Sequence, residues 1–239
     1  MFSFFSKKPK AAATPLTTDI HSHLLAGLDD GVKTQEDAEA ILTVFREAGF
    51  RKIITTPHVM SDYYKNTPAT IGTGLAALKQ FMVSRMDIEL EAAAEYYLDE
   101  NLMGRADSPD LLTFGKNRYL LFETNFISEP LLLKEFIFKL TSSGYRPVLA
   151  HPERYQYMTL AKAEDLRDRG VLFQINTLSL TGYYGPGIQK LATHLIDRGW
   201  LELLGSDCHS PAQAQLLPNA WRSKYYQKAL EFPLLNHSL

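Results

Sequence analysis

The sequence has almost no cysteine and no long apolar run, and both absences exclude classes of protein. Cys208 is the single cysteine among 239 residues, so no disulfide can form within the chain, and a reducing compartment, the cytoplasm, is expected. Cysteine-dependent phosphatases need an arginine six residues after the nucleophile, where this chain has Ala214. Because no apolar run is long enough to cross a bilayer, we predict no transmembrane segment.

The chain also lacks an excess of charge of either sign. Its formal net charge is −2 and its isoelectric point is about 6.4, so no strong positive field favours a nucleic-acid partner. A G-x-S-x-G nucleophile elbow and a glycine-rich phosphate loop are both missing, which argues against a serine hydrolase and a P-loop enzyme. A length of 239 residues suits one α/β domain.

The first fifteen residues differ in composition from the rest of the chain. In MFSFFSKKPKAAATP the phenylalanines precede the lysines, whereas a signal peptide carries its charges before its apolar region. We therefore predict a disordered leader over residues 1–15 and a single barrel domain over residues 16–239.

From Leu16 onward, short strand-like segments alternate with helical patterns. The first helix has Thr34 as its N-cap and Gly49 at its end, and further helices are predicted over residues 71–82, 129–141, 163–169 and 188–197. The seven strand segments are Leu16 to Ile20, RKIITT ending at His58, DIELEAAAEYY, RYLLFET, RPVLAH, VLFQIN and WLELLGSD. This alternation predicts a parallel sheet buried on both faces, and seven such units favour a closed (β/α)7, TIM-like barrel.

Histidine, glutamate and aspartate, which are common metal ligands, lie at or just beyond the ends of these predicted strands. The carboxyl ends of parallel barrel strands converge on one rim, so residues far apart in sequence are expected to meet there. A glutamate that ends an apolar strand, such as Glu123, is costly to bury unless it is paired or bound to a metal. His21 and His23 share one face of their strand. The candidate ligands are His21, His23, Asp30, His58, Glu95, Glu123, His151, Asp207 and His209.

Nine imidazole and carboxylate groups are too many for one ion. Without thiolates, they suit Mn²⁺, Zn²⁺ or Fe²⁺, and we predict two or three divalent ions. Closely spaced divalent ions favour hydrolysis of phosphoesters, with attack on phosphorus by a hydroxide held between them. Arg154, three residues after His151, is a candidate for binding the phosphoryl group. The alternative is that Arg154 caps a strand or pairs with Glu153. Asp29 and Asp30, taken alone, also suit a turn. Asp19 is expected to be a strand residue or to orient a histidine.

Six motifs in order then resemble a known superfamily. TDIHSHLLAGLDDG, TTPH, AAAEYY, LLFET, LAHPER and GSDCH resemble the PHP (polymerase and histidinol phosphatase) superfamily. Within it, they are similar to the bacterial metal-dependent tyrosine-protein phosphatases of capsular and exopolysaccharide gene clusters. The resemblance implies a distorted (β/α)7 barrel and a trinuclear site, often loaded with manganese. It also implies that all nine candidates are ligands, and that Asp30 rather than Asp29 is the ligand from the DDG motif.

The same resemblance implies the roles of individual residues and the partner. Arg154 is expected to bind phosphate, and Arg154 and His209 are taken as catalytic. The implied substrate is phosphotyrosine on a tyrosine autokinase that controls polysaccharide polymerisation and export.

One departure from the family pattern leaves other functions open. These phosphatases usually carry a second arginine shortly after the final Asp-x-His pair, but SPAQA follows here and the next arginine is Arg222. A PHP phosphatase for a small metabolite, such as histidinol phosphate, is the nearest alternative. A metal-dependent regulator that binds phosphotyrosine without cleaving it is another. An amidohydrolase with a bridging lysine is disfavoured, because no lysine ends a strand.

Overall fold

The computed structural model describes residues 16–85 and 87–239, and all pairs of its named strands are parallel. The leader predicted for residues 1–15 lies outside the described residues. The strands are β1 (Thr18–Asp19), β2 (Lys52–Thr55), β3 (His58–Val59), β4 (Glu89–Ala92), β5 (Glu95–Tyr97), β6 (Tyr119–Glu123), β7 (Arg146–Ala150), β8 (Leu172–Asn176) and β9 (Leu203–Gly205).

Helices follow the strands as an outer layer. They are α1 (Gln35–Ala48), α2 (Pro68–Met82), α3 (Glu100–Gly104), α4 (Leu133–Ser142), α5 (Leu160–Asp168), α6 (Pro186–Asp197), α7 (Pro211–Ala214), α8 (Leu217–Trp221) and α9 (Lys224–Ala229). As predicted, Thr34 caps α1 by accepting a hydrogen bond from Asp37 N, and Gly49 ends the helix with φ 104°. No helix of the described residues is both long enough and apolar enough to cross a membrane.

Two of the seven predicted strands are interrupted at the same level of the sheet. β2 and β3 are the two parts of one strand, and β4 and β5 are the parts of the next, because Thr55 pairs with Ala92 and His58 pairs with Glu95 in one unbroken register. Pro57 lies in the first gap and has no N–H to donate to the ladder. With these pairs joined, the order of the seven strands follows the order of the sequence.

The sheet closes between its first and last strands at their carboxyl ends. Ser22 and Cys208 form a parallel bridge, in which His23 N donates to Cys208 O over 2.9 Å. Asp207 N also donates to His21 O over 2.8 Å. The structure therefore confirms the predicted distorted (β/α)7 barrel, with a first strand of only two regular residues.

Successive side chains of a strand point alternately into the barrel and toward the helices, and this divides the core into two layers. In β8, Leu172 packs with the apolar cluster inside the barrel, whereas Phe173 and Ile175 pack against the helices. Gln174 and Asn176 have the same parity as Leu172 and therefore face the barrel axis. The interior is thus apolar at the amino ends of the strands and polar at their carboxyl ends, where the candidate ligands lie.

Gly205, buried at the end of β9, gives a test of this close packing. A Cβ added there would lie 2.7 Å from Gln174 Nε2 and 2.7 Å from His21 Cβ. We expect Gly205→Ala to lower the free energy of unfolding by about 1–3 kcal/mol, as overpacking does, in a denaturant titration. Gly72→Ala in α2, where an added Cβ meets no atom within 4 Å, is the control and should gain about 0.5–1 kcal/mol. Equal stabilities for the two variants would contradict the packing described.

Candidate metal centre

The structure brings all nine candidate ligand side chains together at the carboxyl rim of the barrel. Within each of three overlapping groups, one ligand atom per residue lies within 4.8 Å of the others. The groups are His23, Asp30, His58 and His209; His21, His23, Glu95 and Asp207; and His58, Glu95 and Glu123. The ninth residue, His151, has its Nε2 atom 3.1 Å from Glu95 Oε1.

Glu95 lies at the centre of the cluster and is fully buried. Its Oε2 atom is 3.2 Å from His21 Nε2 and 3.5 Å from His23 Nε2. The same oxygen is 3.1 Å from His58 Nδ1, while Oε1 faces His151. One carboxylate therefore faces four imidazoles, which is the position of a group shared between ions.

Two of the candidate ligands have a left-handed backbone. His151 has φ 35° and Asp207 has φ 52°, values that residues other than glycine seldom adopt. His151 directly follows the end of β7 and Asp207 lies two residues after the end of β9, so the sharp turn decides where each side chain points. Backbone strain of this kind costs about 1–3 kcal/mol and is found mainly at functional sites.

Three of the histidines are oriented by an acceptor at Nδ1. The pairs are His21 Nδ1 with Gln174 Oε1 at 2.7 Å, His23 Nδ1 with Asp29 Oδ2 at 2.7 Å, and His209 Nδ1 with Asp207 O at 2.9 Å. A carboxylate or a carbonyl only accepts, so the proton of His23 and that of His209 lie on Nδ1. Each Nε2 is then free to face the cluster, the arrangement that metal-binding histidines usually have.

The two aspartates of the DDG loop have different surroundings. Asp29 is buried, and besides His23 it accepts hydrogen bonds from His58 N and Gly31 N, both over 2.9 Å. It therefore shapes the turn and orients a histidine. Asp30 turns its carboxylate toward the cluster, where Oδ1 is 3.5 Å from His58 Nε2 and 3.6 Å from His209 Nε2.

The chemistry of this donor set fits divalent cations. The Nε2 atoms of His21 and His23 lie 3.4 Å apart, and both face Glu95 Oε2 and Asp207 Oδ1. Lone pairs of nitrogen and oxygen so close together repel each other unless a cation or a proton lies between them. Glu95 Oε2 and His58 Nδ1 are also buried without a hydrogen-bond partner, as expected of atoms that bind a metal ion.

The electrostatics of the metal-free cluster lead to the same conclusion. Burial lowers the pKa of His21, but the carboxylates of Glu95 and Asp207 outweigh it and raise that pKa to about 9. Burial also lowers the pKa of His23, but the carboxylates of Asp29, Asp207 and Glu95 together raise it well above its ordinary value. Burial raises the pKa of Glu95, yet His21 and His58 bring it well below its ordinary value. Without ions, protons on the imidazoles supply the positive charge that the carboxylates require.

Metal uptake is therefore expected to displace protons. At pH 7.5, which lies below the pKa of about 9 for His21, that imidazole carries a second proton in the metal-free protein, and binding at Nε2 must remove it. The pKa values of His23 and His58 are raised as well. We therefore expect at least one proton released per protein, because metal ligands must be deprotonated. Calorimetric titration of Mn²⁺ in buffers of different ionisation enthalpy measures this number, which should fall above pH 9. No release at pH 7.5 would contradict the protonation described.

Arg154 lies beside the cluster and is held from three sides. Its Nη1 atom donates to Asp207 Oδ2 over 2.9 Å. Its guanidinium lies 4.7 Å from the centre of the Phe126 ring and 4.5 Å from the centre of the Tyr184 ring. Glu153 instead accepts hydrogen bonds from Asn176 N, at the end of β8, and from Ser179 Oγ, shortly after it. Arg154 is thus a rigid cation at the rim, paired with Asp207 rather than with Glu153.

The segment after the final Asp-x-His pair does not bring a second arginine to this point. Gln213 Oε1 accepts a hydrogen bond from His209 N over 2.7 Å, while Arg222 is exposed and donates to Asn219. Cys208 is fully buried, and burial raises the pKa of its thiol, so it is no nucleophile. Asp19 is a strand residue, in β1, and accepts hydrogen bonds from Ser206 N and Ser206 Oγ.

Four side chains of the site are absent from the sequence-based candidates. Gln174 and Asn176 make hydrogen bonds to His21 and Asp207, and Phe126 and Tyr184 enclose Arg154. The two amides alternate with apolar residues in VLFQIN, and that period of two is a usable signal. The two aromatic residues lie in loops and follow no pattern.

Comparisons with known proteins agree with this geometry. The family model for capsular polysaccharide synthesis, CpsB/CapC, matches residues 17–223. The CapC protein of Staphylococcus aureus is 29% identical over 228 residues, which cover 92% of this chain and 89% of CapC. Tyrosine-protein phosphatase YwqE of Bacillus subtilis (strain 168) is 28% identical over 200 residues, or 80% of this chain and 77% of YwqE.

A solved structure is similar as well. It comes from the crystal structures of YwqE from Bacillus subtilis and CpsB from Streptococcus pneumoniae, described as unique metal-dependent tyrosine phosphatases. The match has a TM-score of 0.76 and 26% identity, and it covers 90% of this chain and 85% of the other.

Proposed function

The chain belongs to the CpsB/CapC family of capsular polysaccharide synthesis, and from this we propose that it is a metal-dependent protein-tyrosine phosphatase. The observation that carries the proposal is the convergence of nine imidazole and carboxylate side chains on one rim, with the cation of Arg154 beside them. Its similarity to the metal-dependent tyrosine phosphatases YwqE and CpsB supports the same reaction.

We propose that the nine side chains hold two or three divalent ions, with manganese favoured over iron and zinc. The ligand set contains no sulfur, which suits these ions, and three overlapping groups of ligand atoms support up to three positions. When bound, such ions activate water and neutralise charge on the phosphoryl oxygens.

The residues of the chain have complementary tasks in this reaction. Arg154 binds the non-bridging phosphoryl oxygens, and the rings of Phe126 and Tyr184 keep its guanidinium plane fixed. We propose that His209 is both a metal ligand and a catalytic residue. Its side chain is 20% exposed, against 12% for His58, so it lies on the side from which a substrate enters.

The mouth of the site supports an aromatic phosphoester. A cavity of about 350 Å³ beside Glu123 is lined by apolar and aromatic side chains and by three further polar ones, namely Met60, Tyr63, Tyr97, Phe126, Asp62, Asp99 and Asn125. Its aromatic part suits a phenyl ring. A phosphoserine is shorter and has no ring to fill this space. The cavity therefore favours phosphotyrosine in a protein segment.

The family and the composition support a proposal for the partner and for the location. The family description refers to capsular polysaccharide synthesis, and we propose a tyrosine autokinase of polysaccharide synthesis and export as the phosphoprotein. A cytoplasmic location suits a chain with a single, buried cysteine. We also treat residues 16–239 as one domain, because Asn236 Nδ2 donates to Thr18 O and to Leu204 O and so joins the two ends of the barrel.

Comparison of two substrates tests the proposal. Protein loaded with Mn²⁺ is given a phosphotyrosine peptide and, separately, histidinol phosphate, and phosphate release is measured. We expect kcat/KM for the peptide to be at least about ten times kcat/KM for histidinol phosphate. Preference for histidinol phosphate would favour the small-molecule phosphatase, and binding of the peptide without turnover would favour the regulator.

A further inference from the structure

The end of β8 carries two amide side chains that the sheet itself does not require. Gln174 and Asn176 are two residues apart on the face toward the barrel axis, and both are fully buried. The strand is already paired on both sides, with β7 and with β9. Burial of a primary amide is costly unless its oxygen and its N–H groups find partners, so the partners of these two side chains indicate what they do.

Gln174 and Asn176 form a continuous hydrogen-bond path between two candidate ligands. Gln174 Oε1 lies 2.7 Å from His21 Nδ1, and Gln174 Nε2 donates to Asn176 Oδ1 over 2.8 Å. Asn176 Nδ2 then donates to Asp207 Oδ2 over 2.7 Å. Every step has the length of an ordinary hydrogen bond, so the path connects His21 to Asp207 without a gap.

The carboxylate of Asp207 fixes the direction of each hydrogen bond in this path. Because a carboxylate only accepts, Asn176 must turn its NH2 group toward it and its oxygen toward Gln174. Gln174 must then donate to Asn176 and present its own oxygen to His21, whose Nδ1 becomes the donor. The proton of His21 is thereby held on Nδ1, and its Nε2 atom faces Glu95 and Asp207.

We propose that Gln174 and Asn176 are positioning residues of the metal centre, which set the tautomer of His21 and the orientation of Asp207. The inference rests on the proposed metal centre and not on its substrate. Asp207 Oδ2 accepts from both Asn176 and Arg154, which leaves Oδ1 as the oxygen that faces the histidines. The path thus fixes the positions of His21 and Asp207 relative to β8. Through Asp207 it also fixes the position of Arg154.

Two substitutions of Gln174 separate positioning from packing. Methionine has about the length of glutamine and fills the same space, but its thioether is only a weak acceptor for His21 Nδ1. Glutamate keeps a strong acceptor at His21 Nδ1, although it adds a charge and cannot donate to Asn176 Oδ1. If Gln174 only fills space, Gln174→Met is the milder change for the His21 ring; if its oxygen positions that ring, Gln174→Glu is the milder one.

The readouts are the histidine tautomer and the affinity for Zn²⁺, a diamagnetic ion. In ¹⁵N-labelled, Zn²⁺-loaded protein, NMR should show the His21 proton on Nδ1 in the unmodified chain and in Gln174→Glu. Gln174→Met should lose that signal and bind Zn²⁺ about 10- to 100-fold more weakly, as loss of a ligand's supporting partner does. Gln189→Met is the matched control, because Gln189 donates to Leu180 O away from the cluster.

Unchanged Zn²⁺ affinity and an unchanged His21 signal in Gln174→Met would overturn the inference. If that variant does not fold, Asn176→Leu replaces it, with the same loss of affinity expected and an unchanged affinity as the contrary result. Neither readout needs turnover. If Gln174→Met shows these losses but the unmodified protein does not cleave phosphotyrosine, the inference stands and the proposed function is wrong. If the unmodified protein cleaves phosphotyrosine but Gln174→Met shows no loss, the proposed function stands and the inference is wrong.

Discussion

Replacing Glu95 with glutamine is expected to reduce phosphotyrosine hydrolysis about 1000-fold, which corresponds to about 4 kcal/mol in the barrier. The substitution keeps the shape of the side chain and removes one negative charge at the centre of the cluster. That charge faces the imidazoles of His21, His23, His58 and His151. An amide cannot be shared between two cations as a carboxylate can, so fewer ions should bind per protein.

Two measurements on Glu95→Gln belong together, namely kcat with saturating Mn²⁺ and the number of ions bound at equilibrium. Glu91→Gln is the matched control in β4, the amino-terminal part of the same interrupted strand. Its side chain is 42% exposed and pairs with Lys52 at the opposite end of the barrel, so activity and metal content should stay the same. Full metal content and full activity in Glu95→Gln would contradict the central place given to this carboxylate.

Replacing Arg154 with lysine is expected to lower kcat/KM for a phosphotyrosine peptide about 100-fold, the usual cost of losing one preorganised donor to the reacting group. Lysine keeps the positive charge but not the planar fork that lies between Phe126 and Tyr184 and that we propose for binding two phosphoryl oxygens. Because no second arginine from the segment after His209 reaches the site, little compensation is expected. Metal binding should change little, since Asp207 keeps its bond to Asn176.

Inhibition by inorganic phosphate gives the second readout for Arg154→Lys, and it should weaken in parallel with kcat/KM. Arg169→Lys serves as the control, because Arg169 forms an exposed pair with Asp165 one helical turn away and should leave both quantities unchanged. If Arg154→Lys hydrolyses the peptide at the unmodified rate, the arginine only neutralises Asp207, and the phosphate must be bound by other groups.

The sequence predicts the barrel well, because short apolar strands alternate with helices in a regular way. It does not predict that two neighbouring strands are interrupted at the level of Pro57, since the residues on both sides of each gap favour extended structure equally. The helix predicted over residues 129–141 begins at Leu133 instead, after Pro130. The three helices between residues 211 and 229 are too short to show an apolar stripe. Packing holds them instead, as where Trp221 lies against Phe45 and Phe50.

The candidate ligands are visible in the sequence for a different reason. A histidine or an acid at the end of an apolar strand is unusual, and a parallel barrel brings such strand ends to one rim. The residues that orient the ligands carry no comparable signal. Asp29 reads as a turn residue, and Gln174 and Asn176 read as ordinary polar positions, although their hydrogen bonds decide which nitrogen of His21 and His23 faces the cluster.

The most direct test of the proposed activity is phosphate release from a phosphotyrosine peptide and a phosphoserine peptide, before and after Mn²⁺ is restored to metal-stripped protein. We predict no release from either peptide without metal, and release from the phosphotyrosine peptide alone when Mn²⁺ returns. His209→Ala and Glu123→Ala should abolish that release. Release from neither peptide at full metal occupancy would contradict the assignment as a protein-tyrosine phosphatase.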